Sequence, residues 1–149
     1  MIRIGIVSSI DAEKGTARVI FDDLDNLVSY NLPILFPATL KNKAYHMLDI
    51  GEHVVCAFLD NGLEKGVILG AIYSGPDAVP IADSNIWHLS IPGGAAIEIN
   101  RATHELVIVD SFGSRIVFRE GDILIKAAKN IHINPSDAPI PSHLNNIFE

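Results

Sequence analysis

The sequence predicts an all-β chain in two unlike parts: a small closed barrel, then a β-structure that completes its core only among several copies. Three observations carry this. Apolar residues alternate with polar ones at a period of two in the first half; a break rich in glycine and proline follows residue 74; and a strand pattern with a period of eight emerges toward the end. Helical periodicity is weak, 39–48 being the longest stretch that could hold a short helix.

The first strand is read from Ile2, Ile4 and Ile6 alternating with Arg3 and Gly5, the pattern of a half-buried strand. It ends in the polar turn Asp11-Ala12-Glu13-Lys14-Gly15. The second strand, 16–21, places Ala17, Val19 and Phe21 on one face. After the acidic run Asp22, Asp23 and Asp25 comes a third strand at about 28–32, and Pro33 and Pro37 then open a long loop. Strands at 53–59 and 66–73 follow, with Asp60-Asn61-Gly62 as the turn between them. Five short strands with a long third-to-fourth connection fit an OB-like barrel over residues 1–74, and closure would remove exposed sheet edges.

Two prolines and a glycine between Ser74 and Pro80 cannot continue a ladder, so residues 75–84 are read as a linker. Beyond it, strand-like runs stand at 87–91, 95–100, 105–110, 115–119, 123–127 and 131–134. Ile123, Ile125 and Ala127 recur eight positions later as Ile131, Ile133 and Pro135, with Asp122 and Asn130 ahead of each strand. Each such strand offers only two or three inward side chains. One copy encloses too little core to offset its ordering entropy, whereas three copies wound about an axis can bury them all. An ordinary β-meander packed on the barrel is the competing reading, and the repeat alone leaves the two near even.

Composition narrows the function. Apolar residues make up 48% of the 149, ample for a core, while the longest apolar runs are too short to span a bilayer. No basic-then-apolar leader opens the chain, so no classical export signal is expected. Eleven Lys and Arg against 18 Asp and Glu give a net charge of −7, which disfavours nucleic acid and anionic membranes as partners. Cys56, the single cysteine, sits in an apolar run and is expected to be an inert core thiol; it excludes a disulfide within the chain and a cysteine-based zinc site.

Leu48-Asp49-Ile50-Gly51-Glu52-His53-Val54-Val55 and Glu64-Lys65-Gly66-Val67-Ile68-Leu69-Gly70-Ala71-Ile72-Tyr73 resemble the two closing barrel strands of the phage baseplate assembly protein V family, whose barrel is shared with type VI secretion spike proteins. Past the linker, Gly94-Ala95-Ala96-Ile97-Glu98-Ile99 and the run from Ile123 to Asn134 are similar to the segments that lead into and form that family's triple-stranded β-helix. The resemblance covers nearly the whole chain, the closing-strand motif being its distinctive part. It implies an intertwined homotrimeric β-helix or β-prism spike over residues 85–135, with Ile97, Ile99, Ile123, Ile125, Ile131 and Ile133 in the trimer core and 136–149 as a tip or tail. It further implies a non-enzymatic structural part of a virion tail baseplate. The barrel end would meet tail tube or baseplate hub proteins, and the C-terminal end would pierce the host envelope during sheath contraction.

Many spikes of that family bind iron on the axis through a His-x-His pair from each chain. No His-x-His occurs here, so the candidates for an iron or other axial metal ion are the single imidazoles of His132 and His143. The acidic run 22–25 lacks the spaced ligands of a calcium loop and reads as a polar turn. Ser8, Ser9, His46 and Asp49 supply the residue types of a hydrolytic triad without its nucleophile elbow. Trp87, Leu89 and Ile91 share a strand face and read as packing. The alternative function is an OB-type module that binds oligosaccharide or nucleic acid, trimerised by a β-stalk. Against it, the barrel aromatics Phe21, Tyr30, Phe36, Tyr45, Phe58 and Tyr73 mostly fall at inward or strand-end positions. A small envelope-degrading enzyme is the weakest alternative.

Overall fold

The computed structural model describes residues 1–133, 135 and 140–147. They are almost entirely strand, turn and loop, in two compact units, Met1–Pro80 and Ile81–Glu149. No helix is long and apolar enough to cross a membrane.

The first unit holds β1 (Ile2–Asp11), β2 (Thr16–Phe21), β3 (Leu27–Val28), β4 (Leu32–Pro33), β5 (His53–Phe58) and β6 (Gly66–Ala71). The sheet runs β3-β2-β1-β5-β6, with β4 also on β2. Its inner face carries Val7, Val19, Phe21, Val54, Cys56, Phe58 and Ile68, all buried, with Leu32, Leu48 and Leu63 closing over them. Phe21 and Phe58 meet edge to face with centroids 5.8 Å apart. Gly5 and Gly66 are glycine because the strands curl tightly here: a Cβ at Gly5 would stand 2.5 Å from Val19 Cγ1, and one at Gly66 2.5 Å from the Phe58 ring.

The closed barrel predicted for this unit is not found. Pro33 has no N–H to donate, and β4 ends after two residues. Toward β6 this flank forms no ladder, only an isolated parallel bridge between Ile34 and Ile68, with Leu35 N–H donating to the Ile68 carbonyl at 2.9 Å. The single third strand expected at 28–32 is likewise split, because Ser29 turns inward and its hydroxyl accepts from Val19 N–H at 3.0 Å. No helix forms over 39–48. Tyr45 instead stacks on Phe36 and donates its hydroxyl to the Ala12 carbonyl, tying the loop to the β1–β2 turn.

Alternation along β1 is present with the opposite hand to the usual reading. Gly5 and Val7 are buried, whereas Ile2 and Ile4 point outward, 69% and 55% exposed. Glycine and the smaller valine fit the crowded inner curve at Gly5 and Val7, which leaves the larger isoleucines outside.

The second unit is one antiparallel meander in sequence order: β7 (Ile86–Ser90), β8 (Ala96–Asn100), β9 (Glu105–Val109), β10 (Arg115–Arg119) and β11 (Asp122–Lys126). Hairpin turns with left-handed residues join them, including His104 (φ 59°) and Glu120 (φ 52°). The second copy of the octad does not add a strand: 131–133 lie outside any ladder, and Asn134 is outside the described residues. Residues 140–147 include a 3-10 turn, Ser142–Ile147; the remainder of the expected tip, 136–139 and 148–149, is also outside them.

Candidate functional site: an uncovered apolar sheet face

Among the described residues, every buried hydrophobic side chain belongs to the first unit. Among the described residues the second unit's sheet is a single layer, and its register sorts the side chains into two unlike faces. One face carries two unbroken apolar rows across all five strands. Trp87, Ile99, Leu106, Phe118 and Ile123 form the first; Leu89, Ile97, Ile108, Ile116 and Ile125 form the second. All ten remain partly or largely exposed.

The other face is mixed. Its central row, His88-Glu98-Val107-Val117-Leu124, is flanked by Arg115 and Lys126 on one side and by Asn100 and Glu105 on the other. His88 Nδ1 and Glu98 Oε2 are 2.7 Å apart across β7 and β8, a polar contact suited to a wet surface. The asymmetry is what a sheet needs to bury one side and keep water on the other.

Of the six residues expected in a trimer core, Ile97, Ile99, Ile123 and Ile125 stand together on the apolar face. Ile131 and Ile133 are exposed and follow the last strand without joining it. The sequence reading missed Leu106, Ile108, Ile116 and Phe118 as partners in the same rows. The signal was available: once the hairpin turns fix the register, each alternate residue of 105–109 and 115–119 aligns with Ile97 or Ile99.

His132 and His143, the metal candidates, are both exposed. Among the described residues no group of three or more His, Cys, Asp or Glu is placed to hold an ion within one chain, and a lone imidazole does not reproduce a chelating pair. A site at either position would take the same imidazole from several copies.

The first unit contains one polar constellation that sequence spacing does not reveal. Ser74 Oγ donates to Asp77 Oδ2 at 2.9 Å. Its single proton thus committed, Ser74 accepts from His53 Nδ1–H at 3.0 Å. Asp77 reaches the same ring nitrogen at 3.7 Å. A hydrolytic triad uses the two imidazole nitrogens for its two partners, so this wiring braces the chain after β6 rather than activating a nucleophile. Ser8 instead donates to the Arg18 carbonyl, and His46 packs edge-on to Phe36; neither pairs with Asp49. Asp22–Leu24 form a 3-10 turn, and Asp23 pairs with Arg3 at 2.6 Å. Of the six barrel aromatics, expected mostly at inward or strand-end positions, Phe21 and Phe58 are core, whereas Tyr30, Tyr45 and Tyr73 are exposed.

No family model matches the chain. It is similar to the protein named Spike protein of Escherichia phage P2, with 27% identity over 108 residues, 72% of this chain and 50% of that protein. The chain therefore spans about half the length of the curated relative it matches. A match of 108 residues exceeds the length of either unit, 1–80 or 81–149, and so draws on both.

Proposed function

We propose that three copies of this chain pack the apolar faces of their β7–β11 sheets around a common axis to form the central spike of a phage or phage-like contractile-tail baseplate. The carrying observation is the pair of five-residue apolar rows, exposed or half-exposed in the single chain, on a unit with no buried residue among those described. A lone five-stranded layer cannot offset its ordering entropy, because half its side chains have nothing to bury against. Fully burying each large apolar residue is worth about 1.5–3 kcal/mol, and three sheets facing inward supply that burial at once. Similarity to a phage spike protein supports the same reading.

The mechanism is mechanical. Every strand of the shaft is held by ladder bonds within its chain and by apolar packing between chains, so opening one hairpin exposes core shared by all three. Such a body resists axial load and unfolds slowly. In this reading the first unit faces tube or hub proteins, the second leads into the host envelope, and no covalent chemistry is assigned to any residue. The test is the native mass by light scattering. Three times the 16.2 kDa chain mass is expected, and a well-folded monomer overturns the proposal.

A further inference from the structure

The proportions of the β7–β11 sheet restrict how three copies can meet. Each strand has five residues, about 17 Å of chain. With the strands lying across the axis, three sheets in a triangle stand about 5 Å from it, half the ~10 Å at which facing sheets pack. With the strands along the axis, five of them side by side span about 24 Å, which holds each sheet about 7 Å away and leaves the centre unfilled. The first arrangement closes, and it brings the hairpin turns of one copy against those of the next. Antiparallel order puts the turns after β7 and β9 and residues 127–130 along one margin, where Ala128 N–H donates to Ser114 Oγ at 2.9 Å. The turns after β8 and β10 lie along the other, where Arg101 N–H donates to the Asn85 carbonyl at 2.9 Å. In a cyclic trimer each margin meets the opposite margin of a neighbour.

The two margins carry charge in a definite order. The first has Asp110 between β9 and β10 and Lys129 beyond β11, while its turn Pro92-Gly93-Gly94 is uncharged. The second has Arg101 between β8 and β9 and Glu120 between β10 and β11. All four charged residues are exposed and, among the described residues, none has an ion-pair partner in its own chain. We infer that these charges set the stagger between copies: Asp110 pairs with the next copy's Arg101, and Lys129 with its Glu120. The inference rests on the trimeric reading. Copies held level leave Asp110 midway between the next copy's Arg101 and Glu120, one strand spacing, about 4.8 Å, from each. A strand tilt of about 16° slides the margins past each other by that spacing. In one sense it makes both attractive pairs; in the other it sets Asp110 against Glu120. The rim of the mixed face is balanced in the favoured sense, Arg115 meeting Glu105 and Lys126 meeting Arg119.

Charge reversal in the full chain tests this, read by light scattering as the rate at which the trimer mass is lost in urea. Glu120 and Lys129 stand on opposite margins of one chain, about 17 Å apart, so no rescue can arise within a copy. Glu120→Lys and Lys129→Glu should each speed dissociation at least about tenfold, three equivalent contacts acting together. The double variant should return to within about threefold of the native rate. Net charge alone acts differently, since Glu120→Lys lowers the repulsion between copies and Lys129→Glu raises it. Asp110 is left in place because it caps its own turn, accepting from Phe112 and Ser114 N–H. Arg101→Glu tests that pair with the same expected loss, and stands in should Glu120→Lys fold poorly. Unchanged rates in the single variants, no rescue in the double variant, or a slower Glu120→Lys trimer overturns the pairing and leaves the trimeric spike standing. A native protein at the single-chain mass overturns both.

Discussion

Ile97 and Ile108 face each other directly across β8 and β9, in the middle of the sheet, and each remains 40% exposed. Side chains at the centre of a five-stranded sheet are ordinarily the most deeply covered in the unit. In the proposed trimer this pair lies where neighbouring copies meet, and it gives the sharpest test by mutation. Ile108→Asp should convert the trimer to monomer or aggregate at micromolar concentration, because three carboxylates would converge in an apolar core. Lys126→Asp, on the opposite face, should leave the native mass unchanged. Light scattering on the two variants reads the difference.

Separating the units gives a second prediction. Residues 1–80 contain every buried hydrophobic side chain among those described, so the fragment should fold alone. Lacking the β7–β11 sheet, it should sediment as a monomer at micromolar concentration. A stable trimer of this fragment would move trimerisation out of the second unit.

Close approach at Gly5 sets a third. A methyl group there would lie 2.5 Å from Val19 Cγ1 and 2.6 Å from the Ile20 carbonyl oxygen, which is backbone and cannot step aside. Gly5→Ala should destabilise the 1–80 fragment by about 1–3 kcal/mol in a urea titration. Gly62→Ala, where a Cβ meets nothing within 4 Å, should cost far less.

Cys56 provides a pH test. Burial raises its thiol from 9.0 to about 11, so the folded state retains a proton that the unfolded chain releases first. This contribution to stability is complete below pH 9 and is lost as pH rises toward 11, with a slope of up to about 1.4 kcal/mol per pH unit. Urea titrations of the 1–80 fragment at pH 8.5 and 10.5 should show a smaller alkaline loss in Cys56→Ala than in the native sequence. Equal losses would place the thiol in contact with water.

Much of the strand plan was legible because it rests on local rules. Asp60-Asn61-Gly62 and the alternation of 53–59 locate β5 and the turn before β6, and the alternation of 115–119 locates β10, without reference to any partner. Where it failed, something distant intervened. β1 turns its isoleucines outward because curvature crowds the inner side at Gly5, a contact with β2 some 15 residues away. The barrel stays open because the missing N–H of Pro33 matters only once β6 lies beside that flank. The octad shows only half its pattern within one chain: its first copy is β11, whereas 131–133 lie outside any ladder and Asn134 is outside the described residues.

By itself the sequence determined the all-β class, the break near residue 75, the acidic charge and the isoleucine repeat, since each depends on residue type and near neighbours. Only the tertiary structure decided which side chains share a surface. A ladder slipped by one residue would scatter Ile97, Ile108, Ile116 and Ile125 between two faces; in the register observed they form one row. That row is a property of pairing across three hairpins, which no single strand encodes.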